Sequence, residues 1–310
     1  MSIKTVANNN LVFCSDRKIT NRFNDVLWKF MFGSEERKTF LLRLLNDLFA
    51  SYPAGSHIVI EDLTYRNVEL QPDHENGKRI SFDIVARTSD GKDIDIEVQR
   101  ANMDHLTNRL FYYLTRLHAG KLHAGDDYDK LTPSIVICFM DFSLKLPDSV
   151  PHQGYIRRYQ MTEALERDVI TEDGEIFLVE VPKWLKEQSQ IPLNKQPRIV
   201  RWLTYLTAKD DKTVEELVSK DKDMQEVVMA ESVFVSDDNR WLAYVMSEKA
   251  ERDEQARLHA SRKEGIVEGI AITASNMLRD GVDHSLIKKY TGLSDAQISE
   301  LQQRVSDSSE

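Results

Sequence analysis

ISFDIVARTSDGKDIDIEVQ, residues 80–99, is the stretch whose reading decides the fold. Two runs of alternating apolar and polar residues flank Ser89-Asp90-Gly91. A three-residue loop with glycine in the left-handed position is a favoured hairpin closure. Closed that way, Thr88 pairs with Lys92, Asp83 falls opposite Glu97, and Ser81 opposite Gln99. Paired residues share one face of the sheet. Phe82, Ile84, Ala86, Ile94, Ile96 and Val98 then form the other, core-directed face. A two-residue Asp-Gly turn would shift the register by one residue and separate Asp83 from Glu97 across the sheet. The grouping of acids therefore depends on the longer closure.

On that polar face, Asp93, Asp95, Glu97 and Gln99 occupy consecutive outward positions of one strand. The plain reading is a solvated sheet face with scattered charge. Against it, Asp and Glu are poor strand formers. Two carboxylates facing each other repel, and each raises the pKa of the other unless a cation intervenes. Hard divalent cations take oxygen ligands, and magnesium keeps waters beside one or two carboxylates. An Asp/Glu pair across a hairpin suits Mg2+ (or Mn2+).

Working outward, residues 22–32 read as a helix with Phe23, Leu27 and Phe30 on one face and Asp25 and Lys29 together on another. A second helix is expected at about 35–50, and short strands at 57–61 and 66–70. Residues 104–118 read as a helix N-capped by Asp104, with Arg109 and Tyr113 one turn apart. SIVICFM (134–140) has the continuous apolar character of a strand buried on both faces. Strands at 155–161 and 175–181 and helices at about 196–208, 212–219 and 221–232 follow.

The expected organisation is a flexible arm over 1–20, a large domain over 21–237 and a helical tail over 238–310. The tail reads as a long helix to about 279, stopped by Gly281, then SLIKKY, then a last helix with a Ser294/Gln297 capping box. Its final segment has a helix–turn–helix flavour. AQISELQQ (296–303) carries no Lys or Arg, which favours packing, including a homo-oligomer through these helices, over reading of bases.

Two cysteines, Cys14 and Cys138, make neither a disulfide framework nor a zinc spacing, so a reducing, cytoplasmic setting is expected. No apolar run approaches the length of a membrane span, so no membrane association is expected. The histidines show no HExxH spacing, and no phosphate-cradling glycine motif occurs. A net charge of -10 argues against a generally basic nucleic-acid binder, but it leaves room for a local basic groove and for bound metal.

Asp83 followed by Glu97-Val98-Gln99 on the next strand resembles the PD-(D/E)XK nuclease core. More specifically, the chain is similar to the recombination-promoting nuclease (Rpn) and transposase-like branch of that superfamily. The matching stretches are NDVLWKFMFG (24–33), LLNDLF (44–49), FDIVARTSDGKDIDIEVQ (82–99), RLFYYLTRLHAGKL (109–122), GDDYDKLTPSIVICFMDF (125–142) and VEVPKW (179–184). Their order and spacing, rather than any single match, carry the resemblance, and the tail resembles those of the same branch.

The resemblance implies an α/β restriction-endonuclease-like core, a mixed central sheet flanked by helices, with an α-helical C-terminal extension. It implies a Mg2+-dependent DNA endonuclease serving recombination or a mobile element. Metal would be held by Asp83, Glu97 and the backbone carbonyl of Val98. The family's lysine position maps onto Gln99, which can orient water but carries no charge. Lys29 and Arg109 match charged positions of the branch and are candidates for the missing cation. The plainer readings are an Asp25–Lys29 surface pair and a surface helix charge. Tyr113 reads as packing. An inactive nuclease fold acting in DNA binding or assembly is the competing function.

Overall fold

The computed structural model describes residues 17–52, 58–66, 69–70, 80–102, 105–122, 125–145, 154–187 and 196–307. Helix α1 (Asp25–Phe32) begins where the side chain of Asn24 accepts from the N–H groups of Val26 and Leu27. A 3-10 turn over Glu35–Arg37 leads into α2 (Lys38–Ala50), whose Leu41, Leu44, Leu45 and Leu48 recur at helical spacing and are buried. The hairpin follows as β4 (Ile84–Thr88) and β5 (Asp93–Gln99), after β1 (Leu63–Arg66), β2 (Glu69–Leu70) and β3 (Ile80–Ser81).

The hairpin closes with the longer loop. Thr88 N–H donates to the Lys92 carbonyl, Gly91 N–H donates to the Thr88 carbonyl, and Gly91 sits at φ +88. Ile84 pairs with Ile96 and Arg87 with Asp93, the register expected from the three-residue closure. One part of the expected ladder does not form. The strand breaks before Ile84, and Ser81 pairs with Glu69 in a separate two-stranded β2–β3 sheet rather than lying opposite Gln99.

Helix α3 (Leu106–Ala119) crosses to β6 (Ser134–Met140); β7 (Ile156–Thr162) and β8 (Val169–Glu180) complete a six-stranded mixed sheet of order β1-β4-β5-β6-β8-β7. β5, β6 and β8 run parallel, and the flanking pairs are antiparallel. All of β6 is buried, as its apolar run requires. Helix α4 (Val181–Glu187) follows directly on β8, where the sequence reads only the end of a strand. Residues 58–62 form no strand, and the first pairing comes at Leu63. Asp104 lies outside the described residues. The cap position of α3 is His105, at φ +62 and without a side-chain cap bond.

The main core lies on one face of the sheet. There Ile84, Ala86, Ile94, Ile96, Val98, Ile137, Phe139 and Phe177 meet α1, α2, α5 (Ile199–Thr207), α6 (Asp211–Lys220) and α7 (Lys222–Ser236). Helix α3 covers the other face, with Leu106, Leu110 and Leu114 on Val136, Cys138, Met140 and Leu178. Phe82 belongs to this second side, beside Val85 and Leu117, and not to the main core, because the chain turns at the strand break. Arg17–Thr20 are fastened rather than loose. Arg17 pairs with Asp238 and donates to the Val235 carbonyl, and Thr20 and Asn21 N–H donate to the Tyr244 hydroxyl.

The chain divides into two compact units, Met1–Val245 and Met246–Glu310. Helix α8 spans Asp238–Arg279, and Gly281 at φ +71 ends it. α9 (His284–Thr291) and α10 (Asp295–Asp307) pack with the end of α8 around Ala274, Ile287 and Ile298. The Ser294/Gln297 box forms, Ser294 N–H donating to Gln297 Oε1 at 2.9 Å. Among the described residues, no helix is long and apolar enough to cross a membrane.

Candidate active site

The three-residue closure and the strand break together bring Asp83 to Glu97. Asp83 N–H donates to Glu97 Oε1 at 3.1 Å, and Val98 N–H donates to Asp83 Oδ2 at 3.1 Å. Residues that exchange bonds in an antiparallel pair direct N–H and C=O to the same side. The Val98 carbonyl is therefore on the strand edge that Asp83 occupies.

The acidic face is not solvated. Helix α3 lies over it, and Asp93, Asp95 and Glu97 are 0%, 0% and 3% exposed. The acids then meet different fates. Asp93 accepts a two-pronged hydrogen bond from Arg87 and pairs with Arg66 and Lys121. Burial pushes its carboxyl up, but the Arg87 hydrogen bond and the charges of Lys121, Arg66 and Arg87 win, and it sits below the ordinary carboxylate range. Asp95 is fully buried and neighbours Glu97, two positions along the same strand face. Burial, then the charges of Glu97 and Asp83, hold Asp95 well above that range. Burial and the charge of Asp83 push Glu97 up to about 8, against the Asp83 N–H bond and the charge of Arg109. Asp83 is raised by burial and by Asp25, opposed by the Val98 N–H, Lys29 and Arg109.

Lys29 does not spend its charge on Asp25. Its Nζ lies 3.8 Å from Asp83 Oδ1. Arg109 is half-buried on α3, with its guanidinium 5.9 Å from the Tyr113 ring, and its charge is felt by both Asp83 and Glu97. Tyr113 packs edge-on against Phe82, and burial, followed by the nearby Glu97 charge, raises its hydroxyl pKa. Gln99 is half-buried at the end of β5, two positions beyond Glu97 and so on the same face. Lys29, Asp83, Glu97 and Arg109 thus share one neighbourhood.

Two members of it escape a reading of the sequence. Asp25 raises Asp83 from the first turn of α1, and Asp95 is a fully buried acid beside Glu97 beneath α3. Alternation puts Asp95 on the right face, and i,i+4 spacing ties Asp25 to Lys29, but burial by a distant helix leaves no local signal.

Among the described residues, no set of three or more His, Cys, Asp and Glu side chains is arranged to hold a metal ion. A hard cation needs only one or two carboxylates beside carbonyl oxygen and water. Asp83 and Glu97 meet that need. Asp83 is half-buried and Glu97 buried, the two are close, and each is raised first by burial and then by a neighbouring like charge, Asp25 for Asp83 and Asp83 for Glu97. The donor set fits magnesium or manganese.

Comparison with curated proteins and with solved structures gives no significant match. Residues 273–303, which hold the end of α8, α9 and most of α10, match the model of the Rpn/YhgA-like nuclease family, C-terminal HTH domain. Residues 22–261, including every residue of the site just described, match the model of the PD-(D/E)XK nuclease family transposase, and the chain belongs to that family.

Proposed function

We propose that this chain is a Mg2+-dependent (or Mn2+-dependent) DNA endonuclease, with Asp83, Glu97 and the Val98 carbonyl as the metal-holding set. The observation that carries the reading is the pair of raised carboxylates, half-buried Asp83 and buried Glu97, joined through the Asp83 N–H and the Val98 N–H, with the charge of Asp83 adding to burial in raising Glu97. A divalent ion held there supplies polarisation of the scissile phosphate and a lower pKa for a bound water. Gln99 orients that water through its amide, and Lys29 and Arg109 supply the positive charge that a lysine at position 99 would have carried. A service in recombination or for a mobile element rests on the family alone.

A second reading is an inactive nuclease fold that binds DNA or assembles with other copies. The neutral Gln99 and the net charge of -10 favour it. Incubation of supercoiled plasmid with the full chain separates the two. Nicking or linearisation in Mg2+, abolished by EDTA, supports the nuclease. Binding without cleavage in Mg2+ and in Mn2+ supports the inactive fold.

A further inference from the structure

The buried acid at the opposite end of β5 from Glu97 holds more cations than it needs. Asp93, 0% exposed, accepts from Arg87 Nε at 2.7 Å and Nη2 at 2.9 Å, and from Arg66 Nη1 at 3.0 Å. Lys121 Nζ adds a third charge at 3.5 Å. One two-pronged arginine neutralises a carboxylate and satisfies most of its lone pairs. The cluster instead carries two positive charges in excess, and crowding like charges is costly. Lys121 registers that cost: burial foremost, and also the charges of Arg87 and Arg66, outweigh the pull of Asp93 and bring it down to about 8.

The cations are not equivalent. Lys121 is 4% exposed and is consumed by the Thr132 and Pro133 carbonyls and the Thr132 hydroxyl. Arg66 and Arg87 are 37% and 40% exposed. Among the described residues, Nε and Nη2 of Arg66 and Nη1 of Arg87 have no hydrogen-bond partner. Asp93 fixes both guanidinium groups by one side and leaves the other side to solvent. That is the arrangement of a preorganised anion site, since arginine forks match phosphate oxygens.

Arg87 and Asp93 lie on the same sheet face as Glu97, because residues two and four apart on a strand share a face. Asp93 and Glu97 are four residues apart on β5, roughly 13 Å. That is the rise of about four base pairs of duplex. Resting on the nuclease reading above, we infer that Arg66 and Arg87, held by Asp93, form a phosphodiester-binding site that grips the DNA backbone about four base pairs from the scissile bond.

The test measures binding of a fluorescein-labelled duplex of about 30 base pairs, long enough to span both sites, to the full chain in EDTA, over a series of salt concentrations. Arg66→Gln removes a phosphate contact while Arg87 and Lys121 still satisfy Asp93. It is expected to lower the slope of log K against log salt by about 0.9 and to weaken binding by about three- to tenfold at moderate salt. Arg66→Lys restores most of the slope, and Lys220→Gln, at an exposed pair with Glu216, leaves it unchanged. A slope and affinity for Arg66→Gln equal to wild type, with unchanged melting temperature, overturns the site. Cleavage is scored separately in Mg2+. A chain that cuts DNA but shows no slope change loses this site and keeps the nuclease reading; one that shows the slope change and never cuts does the reverse.

Discussion

Glu97 holds its proton up to about pH 8 because burial and the charge of Asp83 both penalise its ionised form. Its folded pKa lies above the unfolded value of 4.5. The folded state therefore binds that proton more tightly, and the associated stability is full below about pH 4.5 and lost as pH rises through about 8. In EDTA, Glu97→Gln should melt higher than wild type by a margin that grows between pH 5.5 and 8, and saturating Mg2+ should shrink the margin by stabilising wild type alone. A margin that is flat with pH would show that Glu97 is not raised. Gln99 makes a different prediction. Gln99→Ala should slow cleavage by about ten- to a hundredfold at saturating Mg2+, less than Asp83→Ala does, since losing a water-orienting group costs less than losing a metal ligand. Gln99→Lys should keep activity or raise it. A Gln99→Ala variant as inactive as Asp83→Ala, with DNA and metal binding intact, would give Gln99 a larger role than this account does.

The β4–β5 hairpin sets the pairing of the acids, and Gly91 sets the hairpin. At φ +88, with a Cβ that would stand 3.2 Å from Thr132 Cγ2, Gly91→Ala should destabilise the fold by about 1–2 kcal/mol in chemical denaturation. No loss of stability would mean that the closure tolerates another loop geometry. Helix α3 seals the acidic face, and Leu110→Ala, at a residue 1% exposed, should cost about 2–5 kcal/mol. The hairpin register was legible because turn chemistry and alternation agree locally on one answer. The strand break before Ile84 was not legible, because it arises from pairing of Ser81 with Glu69 in a second sheet. The burial of Asp95 and Glu97 was not legible either. It depends on where α3 docks, and the repeat of Leu106, Leu110 and Leu114 says that α3 has an apolar face without saying which strands lie beneath it. In the tail, Gly281 and the Ser294/Gln297 box are local signals and formed where they were read.

Across the whole chain, an overall charge of -10 coexists with a cationic neighbourhood around the acids, built from Lys29 and Arg109 at one end of β5 and Arg66 and Arg87 at the other. Net charge reports on solubility and long-range steering, not on a site. The exposed apolar side chains of α8, Leu258, Ile266 and Val267 among them, support the proposed homo-oligomer through the C-terminal helices. Replacing these three with serine should lower the mass seen by light scattering while leaving metal-dependent cleavage within about threefold of wild type; a wild-type chain that is already monomeric would remove the oligomer. The central claim is that Asp83 and Glu97 make a metal-dependent cutting centre, and its most direct test is the single-turnover cleavage rate of plasmid DNA in Mg2+ for wild type, Asp83→Asn and Glu97→Gln. The account predicts cleavage that requires Mg2+ and falls at least about a hundredfold in each variant, with folding and DNA binding retained. Cleavage at the wild-type rate in either variant would contradict it and move the chemistry elsewhere in the chain.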